Sequence, residues 1–218
     1  MIETIHSRTQ LLELVNRIGI LPFFKNAVPG WSLEEHIAPG LWFTDQEGPW
    51  EWKGQMAAVK SCVYSKLVGS GNAWVSLSLF PDLCNYRRDG YDFEGRCEDG
   101  LVHYRDRMLM ECLLSGAPML SKDVRRKCGF TKGYDTSLTR LEMQTFIINQ
   151  NFVYNLDKSG RPYGWGNAQL TTPELWFGEA FLDQTEARSP SESLTHICQC
   201  LHQALPEIDA DAFRQILK

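Results

Sequence analysis

The sequence predicts an α+β fold, and three observations carry that prediction. Three short amphipathic helix patterns follow one another between Leu101 and Phe146, and two strand patterns then flank the turn sequence DKSGRP. Further capped helix patterns stand near both ends of the chain. Three helices followed by a hairpin is the element order of a winged helix-turn-helix. We therefore expect an N-terminal mixed α+β region over residues 1–100, a winged helix-turn-helix over 101–178 and a C-terminal helical extension over 179–218.

Apolar spacing and helix-ending residues define the first two helices of this module. In VHYRDRMLMECLLSG the apolar side chains recur at three- and four-residue spacings, which gives a helix with one buried face. These side chains are Val102, Met108, Leu109, Cys112 and Leu113. Gly116 and Pro118 end this helix. Ser121 is expected to cap a second, short helix that runs to Cys128, and Gly129 supplies the left-handed residue that ends it.

A third helix and a hairpin complete the module. After the connector FTKGY, Asp135 or Thr136 can cap the helix. Its inward face is predicted to be Leu138, Leu141, Thr145 and Phe146, and its outward face Ser137, Arg140 and Gln144. NFVYNL and YGWGNAQL are rich in the aromatic and β-branched residues of strands, and the glycine of DKSGRP can adopt the positive φ of a turn between them. These two strands form the wing.

Positive charge is concentrated in this module although the whole chain is acidic. The 218 residues include 22 Lys and Arg against 27 Asp and Glu, a net charge of −5. Between Ser121 and Arg161 there are eight basic and four acidic residues, a net of +4, so the rest of the chain carries −9. Because phosphate contacts are local and supply most non-specific affinity, a basic face on an acidic protein can still bind a polyanion, with modest affinity and strong salt sensitivity.

The pattern favours contact with duplex DNA. The residues expected at the groove are Lys132, Ser137, Arg140 and Gln144, and those expected to touch phosphate from the wing are Lys158 and Arg161. Two plainer interpretations stay open. Winged helices also serve as protein-interaction modules, and a few positive charges on exposed helices are often only a solvated face.

The regions on either side of the module carry their own signals. Ser7 with Gln10 forms a capping box ahead of a first helix, and Ser32 with Glu35 forms another at the start of a short helix in SLEEHI. CVYSKL and AWVSLSLF are predicted to be strands around the flexible GSGN turn. Near the C-terminus, the caps are Thr172 and Asp209, and SPSESLTHICQCLHQALP carries an apolar stripe. The C-terminal helices are expected to pad the winged module or to form a homodimer contact.

Three tryptophans in the aromatic stretch before Gly100 have two interpretations. Trp42, Trp50 and Trp52 can stack bases or line a pocket, as aromatic residues do in proteins that handle flipped or single-stranded nucleotides. In a mixed region, however, tryptophans are more often large core anchors, and we favour that interpretation.

Cysteine usage and composition indicate a soluble intracellular protein without a metal or a cofactor. The seven cysteines are odd in number and scattered, which suits reduced thiols. His196, Cys198, Cys200 and His202 fall on two faces of one helix, so they form no single four-ligand zinc site. With 43% hydrophobic and 22% charged residues, no apolar run long enough for a membrane span and no signal pattern, a cytoplasmic location is expected.

Several motifs together resemble a known family. They are LLELVNRIG followed by LPFFKN, His36, Leu41 with Trp42, CVYSKL, AWVS, LFP, NYRRDGYDF, LSKDVRRKCGF, TRLEMQTF and DKSGRPYGWG. Spread over roughly residues 10–178, they are similar to the AlkZ-type winged-helix proteins, bacterial DNA glycosylases of DNA repair that remove alkylated or crosslinked bases. The resemblance is strongest to a group of shorter AlkZ-related proteins, and it implies a winged helix that binds DNA.

The same resemblance implies less about chemistry. Active members carry a Gln-any-Gln or Gln-any-Asp pair just after a Leu-Gly helix end, where the side chains position the attacking water. In our register Pro22 and Phe24 occupy those two places, and neither side chain can orient a water or accept a proton. The remaining candidates for an altered catalytic group are Glu34, Glu35 and His36, because a carboxylate beside a histidine can serve as a general base. A DNA-binding protein without the catalytic pair, a glycosylase with an altered water-positioning residue and a protein-interaction module therefore all stay open.

Overall fold

A computed structural model describes residues 2–42, 47–69, 71–185 and 188–218. The helices of these residues are α1 (Arg8–Ile18), α2 (Pro49–Ala58), α3 (Phe80–Arg88), α4 (Phe93–Glu98), α5 (Tyr104–Leu114), α6 (Ser121–Cys128), α7 (Tyr134–Met143), α8 (Pro173–Phe177), α9 (Glu179–Leu182), α10 (Pro190–Ala204) and α11 (Ala210–Leu217). The strands are β1 (Ile20–Pro22), β2 (Val63–Val68), β3 (Gly71–Val75), β4 (Met119–Leu120), β5 (Ile148–Leu156) and β6 (Pro162–Thr171). The predicted α+β class is confirmed. None of the described helices has both the length and the apolar character that crossing a bilayer requires.

One antiparallel sheet connects the N-terminal region to the hairpin. Its strand order is β1-β3-β2-β5-β6-β4. The junction lies between β2 and β5, where Tyr64 is paired with Asn149. The predicted regions 1–100 and 101–178 therefore share backbone hydrogen bonds, although their boundary stays a prediction.

Two clusters of buried apolar side chains lie along this sheet. The larger one is built from α1, β1–β3, α2, α3 and the last two helices, and its most buried members include Trp31, Trp74, Phe23 and Phe80. The smaller one fills the space between α5, α6, α7 and the hairpin, around Leu109, Leu113, Leu141 and Phe146. Burying each such side chain stabilises the fold by roughly 1.5–3 kcal/mol.

The C-terminal helices pack on the N-terminal region, which corrects the expectation that they pad the winged module. Their apolar stripe, including Leu194, Ile197 and Leu201, belongs to the larger cluster. In the middle of α11, Phe213 packs edge-on against Trp31 with ring centroids 4.9 Å apart. The sequence showed which face of each helix is apolar. It did not show which surface that face covers.

Three predicted helix starts are confirmed, two of them in full detail. Thr172 accepts from the backbone N–H of Leu175, and Asp209 accepts from that of Asp211. Ser7 accepts from the N–H of Gln10, although the Gln10 side chain returns to His6 rather than to Ser7. The helix in SPSESLTHICQCLHQALP, for which the sequence analysis named no cap, begins with a reciprocal capping box between Ser189 and Glu192.

Three other helix starts differ from prediction. Ser32 uses its hydroxyl to donate to Glu35 at 2.6 Å, so the pair stabilises a 3₁₀ turn (Leu33–Glu35) instead of forming a capping box. Ser121 contacts the Tyr134 hydroxyl at 3.0 Å and does not cap α6. α7 begins at Tyr134, one residue before Asp135. Its N-cap position is Gly133, which has a left-handed conformation, and no side chain caps the helix.

The predicted strand pair in the N-terminal region is confirmed in part. CVYSKL forms most of β2. In AWVSLSLF the strand ends at Val75, and Phe80, the last residue of that segment, begins α3. The strand stops because the N–H groups of Leu79 and Phe80 bond back to Ser76, which opens the next helix. Ser70, in the GSGN turn between the strands, lies outside the described residues.

Candidate nucleic-acid interface

The segment from α5 to β6 has the element order that the sequence analysis predicts. α5, α6 and α7 are followed by the long β5–β6 hairpin, and the short β4 pairs with β6 through Met119 opposite Leu170. Gly129 ends α6 in the left-handed conformation at φ 67°, as expected. Val124 is the buried residue of α6 and Cys128 packs beside it against the smaller cluster, whereas the basic side chains of the helix are exposed.

The tip of the hairpin is fixed by one carboxylate. Asp157 Oδ1 accepts from the backbone N–H groups of Ser159 and Arg161 and from the Ser159 hydroxyl, all within 2.9 Å. These hydrogen bonds, led by the hydroxyl, lower the pKa of Asp157, so the carboxylate keeps its charge and its hold on the turn. Lys158 and Arg161 project from this ordered turn into solvent.

The predicted contact residues do not share one surface. Lys132, Lys158 and Arg161 are exposed, and none of them forms an ion pair with another described residue. Ser137 is 1% exposed, which corrects its assignment to the outward face of the third helix. Gln144 is half-buried and directly follows the last residue of α7. Because α7 has ten residues with a rise of 1.5 Å each, Gln144 lies about 15 Å from the start of the helix, which Lys132 precedes.

Arg140 is tied to a carboxylate of its own module. Its Nε lies 2.7 Å from Oδ2 of Asp106 in α5, and its Nη2 donates to Oδ1 at 3.3 Å. The Nε contact is an ion pair that lacks hydrogen-bond alignment. The Asp106 side chain is 3% exposed and the Arg140 side chain 34%. Arg140 therefore compensates a buried negative charge and adds little net positive potential at the surface.

α7 also docks on the N-terminal sheet, an arrangement that the sequence analysis missed. The buried Glu142 accepts from Ser65 of β2 at 2.8 Å and from Asn149 of β5 at 3.0 Å. Lys66 donates to Thr139 at 2.8 Å and lies 3.6 Å from the second Glu142 oxygen. Burial raises the pKa of Glu142, although Lys66 and the two hydrogen bonds oppose that rise. The available signal was spacing, because Glu142 stands four residues after the inward-facing Leu138.

α6 carries four cations, which are Lys122, Arg125, Arg126 and Lys127, and all four are exposed. Arg126 pairs with Asp123 at 2.9 Å, and Arg125 lies 3.7 Å from Asp135. Such exposed pairs are weak and are screened by salt, so the helix keeps a basic outer face.

Aromatic side chains form a continuous surface between α2 and the hairpin. Trp50 contacts Trp165 edge-on, with centroids 5.2 Å apart, and Phe24 with centroids 6.0 Å apart. Trp165 is 72% exposed, whereas Trp52 is buried in the core. Trp42 and Trp50 are half-buried and packed against the larger cluster, so the core interpretation holds for Trp52, and a base-stacking role of the other two stays a prediction.

The positions that our register aligns with the family's catalytic pair border a largely apolar cleft. Pro22 and Phe24 line it together with Lys25, Asn26 and Gln215, and its volume is about 390 Å³. The Asn26 side chain is occupied by two hydrogen bonds to its own loop.

The candidate catalytic triplet holds the loop beside this cleft. Glu34 accepts from the backbone N–H of Lys25 at 2.9 Å. Glu35 accepts from the N–H of Gly30 at 2.8 Å as well as from Ser32, and a His36 ring nitrogen contacts the Gly30 carbonyl at 2.9 Å. All three side chains are half-buried and take part in loop hydrogen bonds.

Comparison with known proteins identifies the family of this chain. A family model described as AlkZ related matches residues 5–218, nearly the entire chain. Neither the curated proteins nor the solved structures contain a match. The motifs from LLELVNRIG to DKSGRPYGWG and the family model lead to the same assignment, so the chain belongs to the AlkZ-related family.

Proposed function

We propose that this protein binds duplex DNA through its α5–β6 segment, acting as a winged helix-turn-helix, without glycosylase chemistry at Pro22 and Phe24. The observation that carries the proposal is the hairpin tip, where Lys158 and Arg161 extend from a turn that Asp157 holds in place. An ordered turn loses little conformational entropy when its cations meet phosphates.

The contact set that we propose is narrower than the predicted one. Lys132, Lys158 and Arg161 touch phosphate, and the outer face of α6 adds cations nearer the body of the module. Arg140 and Ser137 instead support packing, because one compensates Asp106 and the other is buried.

Binding of this kind is weak and depends on salt. The remainder of the chain carries −9 against +4 for the basic segment, so long-range repulsion opposes association at low salt. Three phosphate contacts correspond to a slope of about −3 in the logarithm of the association constant against the logarithm of salt concentration.

Fluorescence anisotropy with a labelled duplex over a salt series tests the proposal. We expect Lys158→Ala/Arg161→Ala to flatten the slope by about 2. The matched control is Arg8→Ala/Lys218→Ala. It removes the same charge from two exposed residues outside the α5–β6 segment, and we expect it to leave the slope unchanged. Equal slopes in the two double variants, or no binding by the wild type at low salt, would overturn the proposal.

A second candidate, base excision with an altered catalytic group, is favoured by the position of Glu34. Its Oε2 contacts Lys25, which lines the cleft beside Pro22 and Phe24. Incubation with duplexes that contain alkylated purines, followed by hot alkali, reveals strand breaks at any abasic site. Breaks that Glu34→Gln abolishes would establish this candidate, and intact DNA across several lesions would remove it.

A homodimer through the C-terminal helices remains a prediction. The apolar stripes of α10 and α11 are already buried within the chain, so a dimer would use their other faces. Sedimentation velocity over a concentration series measures the oligomeric state directly. A single monomeric species throughout would dismiss this contact.

A further inference from the structure

Three side chains form a hydrogen-bonded line away from the hairpin and the aromatic surface. Asp82 Oδ2 lies 2.9 Å from Nδ1 of His196, and Nε2 of the same ring lies 3.5 Å from Sγ of Cys200. His196 and Cys200 are four residues apart on α10, which places them on one face of that helix. Asp82 reaches them from α3.

The environment of Asp82 fixes the protons along this line. The carboxylate is 2% exposed, accepts from Ser193 at 2.7 Å and pairs with Arg188 at 3.2 Å. A carboxylate only accepts, so Nδ1 of His196 carries the proton and donates it to Oδ2. The lone pair of Nε2 then faces Cys200, whose S–H donates to it. A general base needs this direction of hydrogen bonding, with its lone pair accepting from the nucleophile.

The line ends at an open cleft. His196 and Cys200 lie in its wall with Arg17, Ser78 and Gln203, and the volume is about 450 Å³. This is enough for a small organic molecule. Arg17 contributes positive charge at the rim, which favours a ligand with a carboxylate or a phosphate.

We propose that Cys200 is a nucleophile for acyl transfer from small anionic esters or thioesters, with His196 as its general base and Asp82 as a positioning residue. The site is separate from the proposed DNA contact and does not depend on it. Neither the four-residue spacing on α10 nor the packing of α3 on α10 accounts for a thiol in the wall of the cleft.

The reaction proceeds in two balanced steps. The Cys200 thiol passes its proton to Nε2 of His196 as Sγ bonds to the acyl carbon, and the leaving alcohol or thiol takes that proton as its bond to carbon breaks. Water then attacks the acyl-cysteine with His196 again as base, which releases the acid and restores the thiol. Burial, and next the charge of Asp82, raise the pKa of Cys200, so the thiol is neutral at rest and the proton must move during the attack.

Acylation by p-nitrophenyl acetate, followed by peptide mass mapping, tests whether Cys200 is the nucleophile. We expect a stoichiometric burst of nitrophenolate and an acetyl group on Cys200, formed at least about tenfold faster than on Cys97, the half-exposed internal reference in α4. Cys200→Ser removes the burst, and Cys97→Ser, the matched control, preserves it. Acetyl groups spread evenly over the half-exposed cysteines would overturn the proposal.

His196→Gln separates a general base from a packing residue. We expect this variant to lose roughly 10²-fold in acylation rate with an unchanged melting temperature. Asp82→Asn presents an amide donor to Nδ1, so the ring proton moves to Nε2. The acylation rate then falls at neutral pH and its pH profile changes, if this variant folds. A wild-type rate in His196→Gln refutes the mechanism whatever Asp82→Asn does.

Discussion

Replacing Arg140 separates a structural cation from a DNA contact. In Arg140→Ala the buried carboxylate of Asp106 loses the guanidinium 2.7 Å away. Breaking a fully buried pair in this way costs about 3–5 kcal/mol, because the remaining charge is left uncompensated. The Arg140 side chain is one-third exposed, so water partly replaces it, and we expect a loss of about 2 kcal/mol in the free energy of unfolding.

Urea denaturation of a double-mutant cycle measures this loss. Asp106→Asn removes the charge that needs compensation, so Arg140→Ala should cost less in that background than in the wild type. DNA affinity at a temperature where every variant is folded should change little with Arg140→Ala, since its charge is already paired.

Two results would refute the reasoning. One is a loss below about 0.5 kcal/mol, the size expected of an ordinary surface substitution. The other is a salt slope that falls by about 1 in Arg140→Ala, the signature of a lost phosphate contact. Together they would return Arg140 to the DNA interface, where the sequence alone placed it.

Three other perturbations have outcomes that can be stated now. Burial raises the pKa of Glu142, so stability falls as pH rises above the ordinary carboxyl range, and Glu142→Gln should flatten that fall and be no less stable at neutral pH; a steeper profile by thermal melting would contradict this. Burial lowers the pKa of Lys53 to about 8, so stability rises as pH increases from about 8 toward 10.5; in urea titrations Lys53→Met should lose this rise, and the exposed-lysine control Lys60→Met should keep it. Asp209→Ala removes the cap of α11 and should cost about 1 kcal/mol in thermal unfolding, more than Asp211→Ala in the same helix; equal effects would exclude a capping role.

Local signals in the sequence predicted local structure well. Apolar spacing located α5 through Leu109 and Leu113, and the turn DKSGRP separated two strands of the expected kind. Thr172 and Asp209 marked helix starts because a side-chain oxygen at that position satisfies a backbone N–H that the helix cannot. Each of these features depends on residues only a few positions apart.

Contacts between distant residues were beyond such reasoning. A single apolar stripe implies one buried face, whereas α7 has two, one toward its own module and one toward β2. Glu142 occupies that second interface and Ser137 is also buried, so polar residues that pattern rules place outside lie inside. Arg140 was assigned to the surface for the same reason, since its partner Asp106 is on a different helix.

The double packing of α7 limits how a duplex can approach this module. A recognition helix presents its N-terminal residues to base edges, but here Asp135, with a side chain 79% exposed, stands in the first turn and repels phosphates. The second half of the helix is held against β2 through Glu142 and Thr139, so the helix cannot turn a different face to a groove without breaking a buried network. Cations remain at Lys132 before the helix, on the outer face of α6 and at the hairpin tip, and contacts of this kind with phosphates carry no sequence information. Binding through them should therefore discriminate poorly between sequences while remaining steep in salt, which distinguishes this arrangement from groove reading by α7.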